Sequence, residues 1–114
     1  MVKMPTKALT KDEVIKKLRE HRDTLKRYGV KRVGLFGSFV RGEQKRRSDI
    51  DLVVEFDPSF FGKDFKGLFD AYMSLSSFFE DLFGRKVDIL TPISIETIRI
   101  KEVAEEIKRD LIYV

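Results

Sequence analysis

Apolar residues recur every three or four positions from Val14 through Leu18 and Leu25 to Tyr28, with His21 on the same stripe. That period lines one face of an α-helix. Thr10 and Glu13 have the spacing of a capping box, and Gly29 stops the run, so the pattern predicts one amphipathic helix between them. The pattern then changes. Val30 to Phe36 is rich in Val, Leu and Phe and closes on Gly37-Ser38, as a buried strand entering a turn does; Ile50 to Phe56 reads as a second strand. Asp57 to Lys66 holds Pro58, Gly62, Phe60 and Phe61 and reads as a loop. Beyond it Leu68, Tyr72, Leu75, Phe79 and Leu82 restore the helical spacing, Phe65, Phe69, Phe78 and Phe83 broaden the stripe, and Gly84 ends it. Lys86 to Leu90 is a third strand, broken by Thr91 and Pro92. Ile100, Val103, Ala104 and Ile107 mark one face of a last helix, after which Leu111 to Val114 can add a short strand.

This order predicts an α/β or α+β fold, a small mixed sheet flanked by helices. A length of 114 residues suits one domain over residues 1–114, with no separate substrate domain. Ten Phe within a hydrophobic fraction of 42% can supply its core. The absence of cysteine excludes disulfides, thiolate metal sites and a thiol nucleophile. No apolar run approaches the roughly 20 residues that cross a bilayer, so the expectation is a cytoplasmic protein without a membrane partner. A net charge of +4, from 23 basic and 19 acidic residues, is an excess within a mixed surface. It favours anionic partners in general, a nucleoside triphosphate or an acidic protein as much as nucleic acid.

The chemistry concentrates between the first two strands. Gly37-Ser38-Phe39-Val40-Arg41-Gly42 is followed, five residues later, by Ser48-Asp49-Ile50-Asp51-Leu52. In a strand, residues two apart share a face, so Asp49 and Asp51 project together while Ile50 and Leu52 turn to the core. Two carboxylates on one face suit a hard cation such as Mg²⁺, which takes one or two carboxylates and fills its shell with water and substrate phosphate oxygens. The preceding turn offers the complementary half: backbone N–H groups at Gly37 and Ser38, with the Ser38 hydroxyl, can bind phosphate. Gly37 allows close backbone approach. Asp88, on the third strand, joins the cluster if that strand neighbours the second. Three carboxylates then meet the needs of two Mg²⁺ ions in phosphoryl transfer.

Gly37-Ser38 with Arg41-Gly42 and Ser48-Asp49-Ile50-Asp51-Leu52 resembles the GSxxRG and SDxDL signature of the polymerase β-like nucleotidyltransferases. The short chain is similar to their minimal, MNT-type branch. The resemblance extends through Val87-Asp88-Ile89-Leu90 and the ending Arg109-Asp110-Leu111-Ile112-Tyr113-Val114. It implies ATP as substrate, with Gly37 and Ser38 on the β and γ phosphates, Asp49 and Asp51 as metal ligands, and Asp88 as the third carboxylate that activates the acceptor hydroxyl. It also implies a HEPN-domain toxin, encoded by an adjacent gene, as the partner that receives AMP on a tyrosine. The basic insert Lys45-Arg46-Arg47 departs from the pattern.

Simpler roles stand beside these. Arg41 either binds phosphate or pins its loop by pairing with a carboxylate. Lys45, Arg46 and Arg47 read as a solvated loop, His21 as structural, and the aromatic stripe as mostly core. Two other functions compete with the adenylyltransferase. One is a catalytically silent module that neutralises its partner by masking it; the other is transfer to RNA or a small molecule, with nucleic acid the less favoured acceptor.

Overall fold

The computed structural model describes residues 9–45, 48–61 and 67–114, the side chains of Ile93 and Glu96 excepted. Its elements run α1 (Lys11–Glu20), α2 (Arg22–Arg27), β1 (Val30–Phe36), α3 (Ser38–Arg41), β2 (Ile50–Phe56), α4 (Pro58–Phe61), α5 (Leu68–Phe83), β3 (Val87–Leu90), α6 (Pro92–Glu96), α7 (Lys101–Asp110) and β4 (Ile112–Tyr113). The strands form one mixed sheet in the order β3-β2-β1-β4. β1 lies antiparallel to β2 and β4, while β2 and β3 are parallel. The small mixed sheet flanked by helices is therefore the architecture the hydrophobic pattern predicts.

Thr10 caps α1 as its spacing implies, its hydroxyl oxygen accepting from the Glu13 amide at 3.2 Å. The single helix expected to follow is divided at His21. There the backbone turns to φ −106°, ψ 21°, and the imidazole Nδ1 lies 2.8 Å from the Lys17 carbonyl oxygen. The apolar stripe survives the break, because Val14, Leu18 and Leu25 are all buried. His21 also meets the edge of Phe78 at a centroid distance of 5.7 Å, a structural role.

Two short helices replace expected irregular segments, for the same reason. Pro58 and Pro92 occupy first helical positions, where a missing N–H costs nothing, each behind a capping side chain. Asp57 Oδ1 accepts from the Ser59 amide at 2.9 Å, and Thr91 Oγ1 accepts from the Ser94 amide at 3.2 Å. Phe65, assigned to the aromatic stripe, lies outside the described residues, as do Arg46 and Arg47.

The sheet has a core on each face. Leu35, Ile50, Leu52 and Val54 pack with Val14, Leu18, Leu75 and Phe79 in the larger one. Phe36, Val53 and Ile95 form the smaller, closed by Leu90, Ala104, Ile107 and Leu111. The apolar faces of α5 and α7 prove narrower than their stripes: Phe69 is 73% exposed, Ile100 60% and Val103 43%. A helix lying on a sheet buries only an arc of its circumference, and these three side chains fall outside it. No helix of the described residues is long and apolar enough to cross a membrane.

Candidate active site

The alternation along β2 divides its side chains as its sequence requires. Ile50 and Leu52 are fully buried in the larger core, whereas Asp51 lies on the opposite face, with Asp49 two residues before it. The register then supplies what local spacing cannot: Asp51 sits directly beside Asp88 of β3 and opposite Phe36, the last residue of β1. Parallel neighbours lie about 4.8 Å apart, so Asp88 stands on the same edge of the site. It also approaches Lys86, with 3.8 Å between Oδ1 and Nζ.

The glycine-serine turn reaches the carboxylates. Gly37 is buried at φ 80°, ψ −152°, a region essentially reserved for glycine. A Cβ placed on it would lie only 2.3 Å from Asp51 Oδ2. The glycine-serine turn and Asp51 therefore form one surface. Gly37→Val is expected to displace Asp51 and strain the turn, abolishing ATP binding as read by calorimetry. Ser38→Ala removes one hydrogen-bonding group from a half-buried position and should raise the KM for ATP several-fold while leaving the melting temperature near the parent's. A wild-type rate for Ser38→Ala at limiting ATP would reject the phosphate role of its hydroxyl.

Ser48, the residue before Asp49, is held by two hydrogen bonds. Lys45 N–H donates to Ser48 Oγ at 2.7 Å, and Arg85 Nη1 donates to the Ser48 carbonyl at 3.2 Å. Arg41, in the last turn of α3, is gripped by three carboxylates: Nε by Glu43 at 2.9 Å, and Nη1 by Glu106 at 3.1 Å and Asp110 at 2.7 Å. This is the loop-pinning arrangement. A cavity of about 260 Å³ opens between the two halves, with Gly37, Arg41 and Asp51 on one wall and Val103, Glu106 and Asp110 of α7 on the other. Sequence reasoning placed no α7 residue at the site. The signals available were the acidic pair Glu106 and Asp110, spaced i, i+4 on one helix face, and the place of Asp110 in the ending that the resemblance covers.

Burial pushes the Asp51 carboxyl up to about 6, with further upward pressure from Asp88 and Asp49 and an opposing pull from Arg41. Crowded, partly desolvated carboxylates are stabilised by a cation, so the donor set fits a hard divalent ion. Among the described residues no three His, Asp or Glu side chains are already gathered to hold an ion. Water and substrate oxygens would complete the shell, as Mg²⁺ commonly requires. The folded form binds a proton more tightly than the unfolded one here, so this group's contribution to stability falls as pH rises from about 4 to about 6. Mg²⁺ affinity should move the other way, weakening as pH drops below about 6. Melting curves with and without Mg²⁺ from pH 5 to 8 test both directions: the Mg²⁺-induced rise in melting temperature should shrink at the acid end, and more so than in Asp51→Asn.

A strand–turn–strand unit that presents a glycine-serine turn against paired carboxylates, with a third carboxylate on the adjoining strand, is the frame of a nucleotidyl transfer site. The comparisons agree. Residues 15–114 match the family model of the nucleotidyltransferase domain, and the chain belongs to that family. A Methanocaldococcus jannaschii protein described as a candidate protein adenylyltransferase is 42% identical over 106 residues, spanning 92% of this chain and 98% of its own. Among solved structures, a candidate minimal nucleotidyltransferase superposes with a TM-score of 0.64 at 27% identity, covering 90% of this chain and 94% of the other. A toxin–antitoxin structure with AMP-PNP shares the fold, with a TM-score of 0.53 at 20% identity, covering 92% of this chain and 72% of the other.

Proposed function

We propose that this nucleotidyltransferase is a Mg²⁺-dependent protein adenylyltransferase that moves AMP from ATP to a tyrosine of a HEPN-domain toxin, acting as its antitoxin. The observation that carries the reading is the close approach of the Gly37 turn to Asp51, which supports a phosphate-binding turn beside a carboxylate pair. Three further findings support it: the family, the name of the Methanocaldococcus jannaschii relative, and the fold shared with a toxin–antitoxin structure.

In this reading the Gly37 and Ser38 amides and the Ser38 hydroxyl hold the β and γ phosphates, which leaves the α-phosphorus facing Asp49 and Asp51. Those two carboxylates would hold Mg²⁺, with Asp88 able to complete a second position; the cation would neutralise the triphosphate and make the acceptor hydroxyl more acidic. Asp88 takes the hydroxyl proton as the tyrosine oxygen bonds to the α-phosphorus, and the bond to the β-phosphate oxygen breaks to release pyrophosphate. Arg41 contributes a positive charge beside the phosphates.

Incubation with α-labelled ATP, Mg²⁺ and the neighbouring-gene protein should label that protein, and its tyrosine-to-phenylalanine variants should lose the label. Absence of transfer, with neutralisation of the partner retained by Asp49→Ala, would replace this reading with stoichiometric masking.

A further inference from the structure

Arg41 has two roles open to it, phosphate ligand and loop pin; its ion pairs make the pin, and it also lines the cavity beside Gly37 and Asp51. Its Nε and Nη1 are engaged by Glu43, Glu106 and Asp110. None of these three bonds uses Nη2. Arg41 also lines the cavity that Gly37 and Asp51 share with α7, and its charge is felt at Asp51. Asp110 is the better shielded of the two α7 partners, 13% exposed against 56% for Glu106. The two lie one helical turn apart, so together they fix the guanidinium from the α7 side.

We infer that Asp110, assisted by Glu106, is a positioning residue for the triphosphate: it holds the Arg41 guanidinium on the cavity wall, oriented by carboxylates and with a donor left for phosphate. The inference rests on the nucleotide-binding reading given above. A free arginine must surrender much of its rotamer freedom when it meets a phosphate, whereas a guanidinium already oriented surrenders less. Its planar fork can also serve two anions at once, through different nitrogens. The same contacts make α7 a structural part of the nucleotide site. α7 also packs on the sheet through Ala104 and Ile107 of the small core, and the Arg41 clasp ties it to the turn beside Gly37.

Simple electrostatics and positioning predict opposite signs for Asp110→Asn. Removing a negative charge near a triphosphate should tighten binding if charge alone matters. Releasing the guanidinium should weaken it. Calorimetric titration of the full chain with ATP in the presence of Mg²⁺ is expected to show about tenfold weaker binding for Asp110→Asn, the scale of one charge-assisted hydrogen bond. Asp110→Glu should restore affinity to within about threefold. Arg41→Gln combined with Asp110→Asn should bind no more weakly than Arg41→Gln alone, since both act through one group. Unchanged or tighter binding in Asp110→Asn, or additive losses in the double variant, would overturn the assignment. If Asp110→Asn does not fold, the exposed Glu106→Gln carries the same cycle against Arg41→Gln, with a smaller loss expected and additivity or no loss as the contrary result. A parent chain that binds no ATP with Mg²⁺ would remove the nucleotide reading itself. A parent that binds while the variants match it removes only the positioning role.

Discussion

Asp51→Asn is expected to cut adenylyl transfer by on the order of 10³-fold or more, while raising the melting temperature of the ligand-free protein at pH 7. Both effects come from one carboxylate. Asp51 is packed under the Gly37 turn and beside Asp88, and its carboxyl is pushed up to about 6, so at neutral pH the folded chain carries a charge it holds poorly. An amide of the same shape keeps the contact with Gly37 and removes the repulsion. In the proposed reaction the same change deletes a negative charge that would hold the cation against the triphosphate, where electrostatic groups commonly supply two to three orders of magnitude. Asp49→Asn should likewise lose metal-dependent ATP affinity. Calorimetry with Mg²⁺ and with EDTA, beside melting curves on the same preparations, gives the answer. ATP affinity that is equal in EDTA would end the metal-based account, and an active Asp51→Asn would end the role of this residue.

Opposite signs for activity and stability separate a working site from a structural one. A residue kept for packing loses both on substitution, while a group held in an unfavourable setting for its chemistry trades one against the other. The Arg41 ion pairs belong to a different class, since they are partly exposed and tie two elements together. Their loss should change nucleotide affinity more than global stability, because exposed ion pairs contribute little to folding.

The strands and the acidic pair were legible in the sequence because their determinants are local. Val30–Phe36 and Ile50–Phe56 are runs of strand-forming residues with turn residues at their ends, and Asp51 turns away from the buried Ile50 and Leu52 by the two-residue period, with Asp49 just ahead of the strand. The mixed sheet followed from the order of elements. What stayed illegible depends on contacts between distant parts of the chain. The break at His21 comes from its ring seated between the Lys17 carbonyl and Phe78. The exposure of Phe69 reflects which arc of α5 the sheet covers, which a stripe spread over so much of the helix does not reveal. The Arg41 clasp joins residues 65 and 69 positions apart, so spacing offered no route from Arg41 to α7. The placement of Asp88 next to Asp51 was conditional on strand neighbours, and the parallel pairing of β2 with β3 met that condition.

Asp88→Asn is expected to divide binding from chemistry. Asp49 and Asp51 come from one chain segment, and Asp51 meets the Gly37 turn, so in the proposed reaction they go with the groups that hold the triphosphate. Asp88 arrives on a separate strand, is about half exposed, and faces Lys86 at 3.8 Å, a position open to an incoming acceptor. In the proposed reaction the acceptor hydroxyl must lose its proton as its oxygen bonds to phosphorus, and a carboxylate at that edge can take it without gripping the nucleotide. Loss of a general base commonly lowers rates by 10² to 10⁴, so transfer should fall on the order of 10²-fold or more. Affinity for ATP with Mg²⁺ should stay within about threefold of the parent, because the cradle and the Asp49–Asp51 pair are untouched. Lys86→Met gives a control: it frees Asp88 from its neighbouring cation and, as an exposed ion pair, should change stability little. Calorimetry and single-turnover transfer on one folded preparation measure the two quantities together. A parallel fall in affinity and transfer makes Asp88 an ordinary metal ligand, and no change in either places it outside the reacting groups.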